Sequence, residues 1–77
     1  MEQITYKGYK IQAAPYKSEE GDWLVNFYLH VETDEGLEST TYEVEDRFES
    51  REAAVEHCFD YGKEMIDAEA QGHYVIE

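Results

Sequence analysis

The run Trp23-Leu24-Val25-Asn26-Phe27-Tyr28-Leu29-His30-Val31 constrains this chain more than any other segment, because every odd position is apolar while the even ones are mixed. A period of two sends alternate side chains to opposite faces of a strand. The run therefore predicts a central strand over about 23–32 whose odd face needs a covering layer. From Ser50 the period changes to that of a helix. Ala54, Val55, Cys58, Phe59, Gly62, Met65 and Ile66 fall on one stripe of a helix predicted over about 50–71. Ser50 is placed as its N-cap, Glu52 sits at the positive end of the helix dipole, and Gly72 takes the C-terminal cap.

Two further strands follow from the central one. Tyr9, Ile11 and Ala13 line one side of the segment before Pro15, which ends a ladder because it has no amide hydrogen to donate. Gly8 interrupts the preceding Ile4-Thr5-Tyr6-Lys7 run, and we read it as a kink within one first strand over about 3–14. The polar residues 17–22 return the chain antiparallel. If Thr33 to Gly36 form the second loop, Glu32 faces Leu37, Phe27 faces Tyr42 and Val25 faces Val44, which places the third strand over about 37–45. The expected fold is α+β: a three-stranded antiparallel sheet packed on one C-terminal helix, β-β-β-α, as one small domain over 1–77, with a short C-terminal strand an option for residues 73–77. A glycine in a helix interior costs about 1 kcal/mol relative to alanine. Gly62 is therefore expected to lie against a bulky sheet residue such as Trp23 or Tyr9.

With 77 residues there is room for one core. A core of this size typically supplies about 3–5 kcal/mol unless something staples it, and the single cysteine, Cys58, excludes an internal disulfide. The lone thiol fits a reducing compartment, and the start Met1-Glu2-Gln3-Ile4 shows no basic segment leading into an apolar run. We expect a cytoplasmic protein that does not enter membranes. Its net charge of −13 repels phosphate backbones, so direct nucleic-acid binding is not expected. The charge is uneven: Lys7, Lys10 and Lys17 against Glu2 leave +2 in residues 1–17, while 3 bases against 18 acids leave −15 in residues 18–77.

Candidate chemistry is sparse. His57-Cys58 with Asp60, and His30 with Glu32 and Asp34, are residue types that zinc takes, but adjacent helical positions point about 100° apart and no paired ligand spacing is present. Cys58 lies on the apolar stripe in acidic surroundings, the opposite of what activates a thiolate. Carboxylate pairs such as Glu43 with Glu45 or Asp60 with Glu64 are too numerous to single out an acid–base site. Thr33-Asp34-Glu35-Gly36-Leu37-Glu38 lacks the alternating oxygen ligands of a calcium loop and reads as a hairpin turn. No catalytic, cofactor-binding or metal residue is assigned.

The sheet face away from the helix is the most informative feature, since one helix covers only one face. On it Tyr16, Leu24, Tyr28 and His30 are the expected contact residues for a protein partner or a second copy of the chain. The leading expectation is a non-enzymatic interaction or regulatory module. An acidic decoy that occupies the nucleic-acid site of a basic partner comes second, and a small enzyme or ligand-binding protein third.

The residues Tyr6-Lys7-Gly8-Tyr9-Lys10-Ile11, Ala14-Pro15, Trp23, Phe48, Ser50-Arg51-Glu52-Ala53-Ala54, Gly62-Lys63 and Ile66-Asp67 carry a resemblance over roughly 4–67. On them the chain resembles a family of short bacterial proteins of uncharacterised function. Some of its relatives look like a group labelled as transcriptional activators of haemolysin expression. The resemblance implies the β-β-β-α fold and no catalytic or binding residues. The acidic chain shows no helix-turn-helix or basic recognition helix to go with that label.

Overall fold

The computed structural model describes residues 2–71. Gly72 and the segment 73–77, read above as a cap and an optional strand, lie outside the described residues. The alternating run forms the central strand, which in chain order is β4 (Trp23–Thr33), with Val25, Phe27 and Leu29 buried on its odd face. One helix, α1 (Arg51–Gln71), covers that face.

The sheet has five strands rather than three. The expected first strand folds back on itself at Lys7-Gly8, giving β1 (Gln3–Tyr6) and β2 (Tyr9–Ala13). Both turn residues have positive φ, 51° and 85°, the pattern of a two-residue type I′ hairpin turn. Gly8 is thus the pivot of a hairpin and not a kink. Folding back pairs Ile4 with Ile11 and Tyr6 with Tyr9, so one apolar face is doubled in width where a single strand would have left half of it uncovered. The fifth strand arises at Pro15. Beyond it β3 (Tyr16–Lys17) rejoins β4 in the same register as β2, with Tyr16 opposite Leu24 and Lys17 opposite Trp23.

On the other side of β4, β5 (Gly36–Phe48) pairs in the expected register: Glu32 with Leu37, Phe27 with Tyr42 and Val25 with Val44. It runs past the expected end at Glu45. A register shift between Leu24 and Val25 brings Arg47 opposite Leu24 and Phe48 opposite Trp23, leaving Glu45 and Asp46 as a bulge. Asp34 and Glu35 make the β4–β5 turn, Gly36 follows at φ 120°, and the Thr33 hydroxyl accepts from the Glu35 amide at 3.2 Å.

The helix starts where Ser50 places it. The Ser50 hydroxyl accepts from the Ala53 amide at 3.1 Å, and Ala54, Val55, Cys58 and Ile66 are buried against Ile11, Ala13, Val25, Phe27 and Leu29. The close neighbour of Gly62 is Ile11, not Trp23 or Tyr9: a Cβ at Gly62 would lie 2.8 Å from Ile11 Cγ2 and 2.9 Å from Ile11 Cδ1. Two ionic ties hold the helix to the first hairpin. Arg51 meets Glu2 at 2.9 Å, and Asp67 accepts from Lys7 at 2.7 Å and from the Tyr6 hydroxyl at 3.0 Å. The result is a slab 41 × 28 × 16 Å with a helix on one side and an uncovered sheet on the other.

Candidate functional site: the open sheet face

Residues directly opposite across an antiparallel ladder share a face, so the registers define the open face row by row. Tyr16, Leu24 and Arg47 form one end; Asn26 and Glu43 follow; Gln12, Tyr28 and Thr41 cross the middle; Lys10, His30 and Ser39 come next; Glu32 and Leu37 close the other end. Tyr16, Leu24, Tyr28 and His30 all stand here. Tyr16 is 44% exposed, and Leu24, Tyr28 and His30 are half-buried by their neighbours in the sheet. The rings of Tyr28 and His30 lie nearly parallel, 6.2 Å apart.

Most of the chain's charge is kept off this face. Among its register-paired positions the charged residues are Lys10, Arg47, Glu32 and Glu43, which sum to zero in a chain of −13. Arg47 is turned to the rim, 2.9 Å from Glu20 and 3.7 Å from Asp22.

Three polar side chains near the middle, Gln12, His30 and Ser39, are partnered with one another across the sheet. His30 Nε2 lies 2.8 Å from Gln12 Oε1 and its Nδ1 lies 2.6 Å from Ser39 Oγ. A neutral ring that donates from Nε2 to the Gln12 carbonyl and accepts at Nδ1 from the Ser39 hydroxyl satisfies both contacts. This chain of bonds ties β2, β4 and β5 together. Asn26 Nδ2 donates to the Ala14 carbonyl at 3.2 Å, just before the break that Pro15 makes in the ladder.

Leu37, 68% exposed, belongs to the face and was missed from the sequence, as were Gln12 and Ser39 as partners of His30. The signal for Leu37 was present, because the Glu32–Leu37 pairing already put it beside the even residues of β4. A shallow depression of about 370 Å³ lies at that end, lined by Gly8, Lys10, His30, Val31, Glu32 and Leu37. A second, of about 250 Å³, opens on the helix side between Leu29, Tyr42, Met65, Ala68 and Glu69.

The remaining reactive groups are held in structural roles. Cys58 is fully buried, its Sγ donates to the Asn26 carbonyl at 3.3 Å, and burial pushes its thiol pKa up. Neighbouring His57 turns away, bonding the Ala53 carbonyl at 2.9 Å and stacking on Phe48 at 4.1 Å. Tyr61 donates to Asp46, which raises the phenol pKa. Among the described residues no three of His, Cys, Asp and Glu converge where a metal ion would sit.

Four acids line the outer side of the helix. Glu52, Glu56, Asp60 and Glu64 are exposed on α1 at intervals of four, and among the described residues no base forms an ion pair with them. Lys63, within reach by sequence, instead lies over the Tyr6 ring at 5.7 Å. Compared with protein-family models, with curated proteins and with solved structures, the chain matches none.

Proposed function

We propose that this protein is a small non-enzymatic interaction module that docks a protein partner on the open face of its sheet. One observation carries the reading: a chain with 32% charged residues presents a face of zero net charge on which Tyr28 stands at the centre and Gln12, His30 and Ser39 are bonded to one another. Protein interfaces have that composition, aromatic and depleted of charge at the centre with a charged rim. Burying polar groups that already have partners avoids the penalty for stranded donors and acceptors. The partner surface that fits is uncharged and carries aliphatic or aromatic side chains. Among the described residues no helix is long and apolar enough to cross a membrane, and we place the protein in the cytoplasm with its thiol reduced.

The experiment is substitution of Tyr28→Glu and, separately, Leu24→Glu, with circular dichroism and thermal melting to establish folding, followed by measurement of association. Loss of association in folded variants supports the open face. Unchanged association in both removes it.

A second reading rests on the stripe Glu52, Glu56, Asp60 and Glu64, which gives the back of the helix the aspect of an acidic decoy for a basic nucleic-acid-binding partner. The double variant Glu56→Lys, Asp60→Lys would abolish such a complex and leave docking on the sheet intact.

A further inference from the structure

We infer that the partner fitted to the open face is a second copy of this chain, packed sheet against sheet with the helices on the two outer sides. This rests on the open face being a docking surface and adds the identity of the occupant. Area is the first ground. The slab measures 41 × 28 Å in its plane, a face on the order of 1,000 Å², against the roughly 800 Å² per partner that a standard stable interface buries. A single face of this chain is large enough for a complete interface.

Charge is the second ground, and it separates the face from the other places where two copies could meet. Two copies at −13 each repel unless the surfaces brought together are neutral and the acids stay apart. The open face meets the first condition with Lys10 and Arg47 balancing Glu32 and Glu43. The layered arrangement meets the second for the acids of the helix. Layers spaced about 10 Å apart put the two helices about 30 Å from each other, several times the screening length of about 8 Å at physiological salt.

The sheet edges do not offer the same opportunity. The outer edge of β5 carries Glu38, Glu43, Glu45 and Asp46, and acids along an edge oppose pairing with an identical edge. The opposite edge, β1, is four residues long. The middle of the face is prepared for burial by the Gln12–His30–Ser39 chain, and Tyr28 and Leu24 offer the anchors.

The test is light scattering and sedimentation of the full chain across a concentration series, with wild type, Tyr28→Glu and Leu24→Glu side by side. NMR shifts of the wild type are followed over the same series. The expected result is a wild-type dimer whose dissociation constant rises at least about 30-fold in each folded variant, the size of effect that marks a central anchor. Concentration-dependent shifts should be confined to residues such as Tyr28, His30 and Thr41 and absent at Glu56 and Asp60. A wild type that stays monomeric throughout overturns the second copy while leaving the face open to a different protein. A dimer that survives both substitutions overturns the second copy on this face, and only association with a different protein that also survives them overturns the docking role of the face.

Discussion

Gly62→Ala tests whether the helix and the sheet are packed as tightly as the geometry states. In a solvent-facing helix the change would stabilise by about 1 kcal/mol, because glycine gives up more backbone freedom on folding. Here the added methyl meets Ile11 Cγ2 at 2.8 Å and Cδ1 at 2.9 Å, both closer than real Cβ contacts come. Ile11 has nowhere to go. It is fully buried, it is stiff at its branched Cβ, and its strand is paired on both sides, through Ile4 to β1 and through Leu29 to β4. The helix is equally held, by Arg51–Glu2 near its start and Lys7–Asp67 near its end.

Overpacking a fixed core costs about 1–3 kcal/mol. Set against the propensity gain, the net is a loss of about 1 kcal/mol, or a melting temperature lowered by about 4–8 °C in a domain of this size. Urea denaturation of Gly62→Ala, Ile11→Val and the double variant measures it. Ile11→Val alone deletes Cδ1 and costs about 0.5–1.5 kcal/mol. Because it also removes one of the two clashing atoms, the double variant should be more stable than additivity predicts by at least about 0.5 kcal/mol. A Gly62→Ala protein that gains stability, or a double variant that is strictly additive, refutes the close contact.

Glu56→Lys turns two repulsive four-residue spacings, to Glu52 and to Asp60, into attractive ones and should raise stability by about 1 kcal/mol at low salt, with the gain shrinking as salt is added in a thermal melt. Acid should unfold the protein through its tethered carboxyls. Arg51 holds Glu2 below its ordinary 4.5 and Lys7 holds Asp67 below its ordinary 3.8. A folded-state pKa lower than the unfolded one gives stability that is present above the unfolded value and is lost as pH falls through the folded one. Urea midpoints should therefore drop below about pH 4.5, less steeply in Asp67→Asn than in wild type, and identical profiles would rule out the tether. Cys58 should react with a thiol reagent only at the rate of opening in native buffer and immediately in denaturant, since it is buried and its thiol pKa is raised.

What could be read from the chain divides along the range of the interactions involved. The β4 alternation, the β4–β5 register and the Ser50 cap are set by patterns within a few residues, and the structure keeps them. The first hairpin is different, because Lys7-Gly8 carries less turn signal than Asn-Gly or Asp-Gly would, and Lys7 takes a positive φ that its side chain disfavours. What holds it there is distant in sequence: Lys7 and Tyr6 reach Asp67 on the helix. Gly62 shows the same limit. Its need for a close neighbour was legible, while the choice of Ile11 over Trp23 or Tyr9 depended on where β2 ended up once the hairpin had formed. On the open face the aromatic members were legible from parity, but the bonds from His30 to Gln12 and Ser39 need three strands in register at once.

The placement of acids is not what helix stability alone would select. Glu52, Glu56, Asp60 and Glu64 make three like-charged pairs at four-residue spacing, together costing about 1 kcal/mol. Glu52 regains part of this at the positive end of the helix, whereas the last turn has no base to complement the negative end. Across its 16 Å thickness the molecule is therefore polarised, acidic at the back and neutral at the front. That asymmetry gives the two functional readings opposite responses to salt. A complex formed by the acidic back loses affinity as salt rises, because its Coulomb attraction is screened. A complex formed by the neutral front holds its affinity or gains, because the only charge effect left to screen is repulsion between the acidic remainders of the two bodies. The sign of the salt dependence thus assigns the functional surface before any partner is identified.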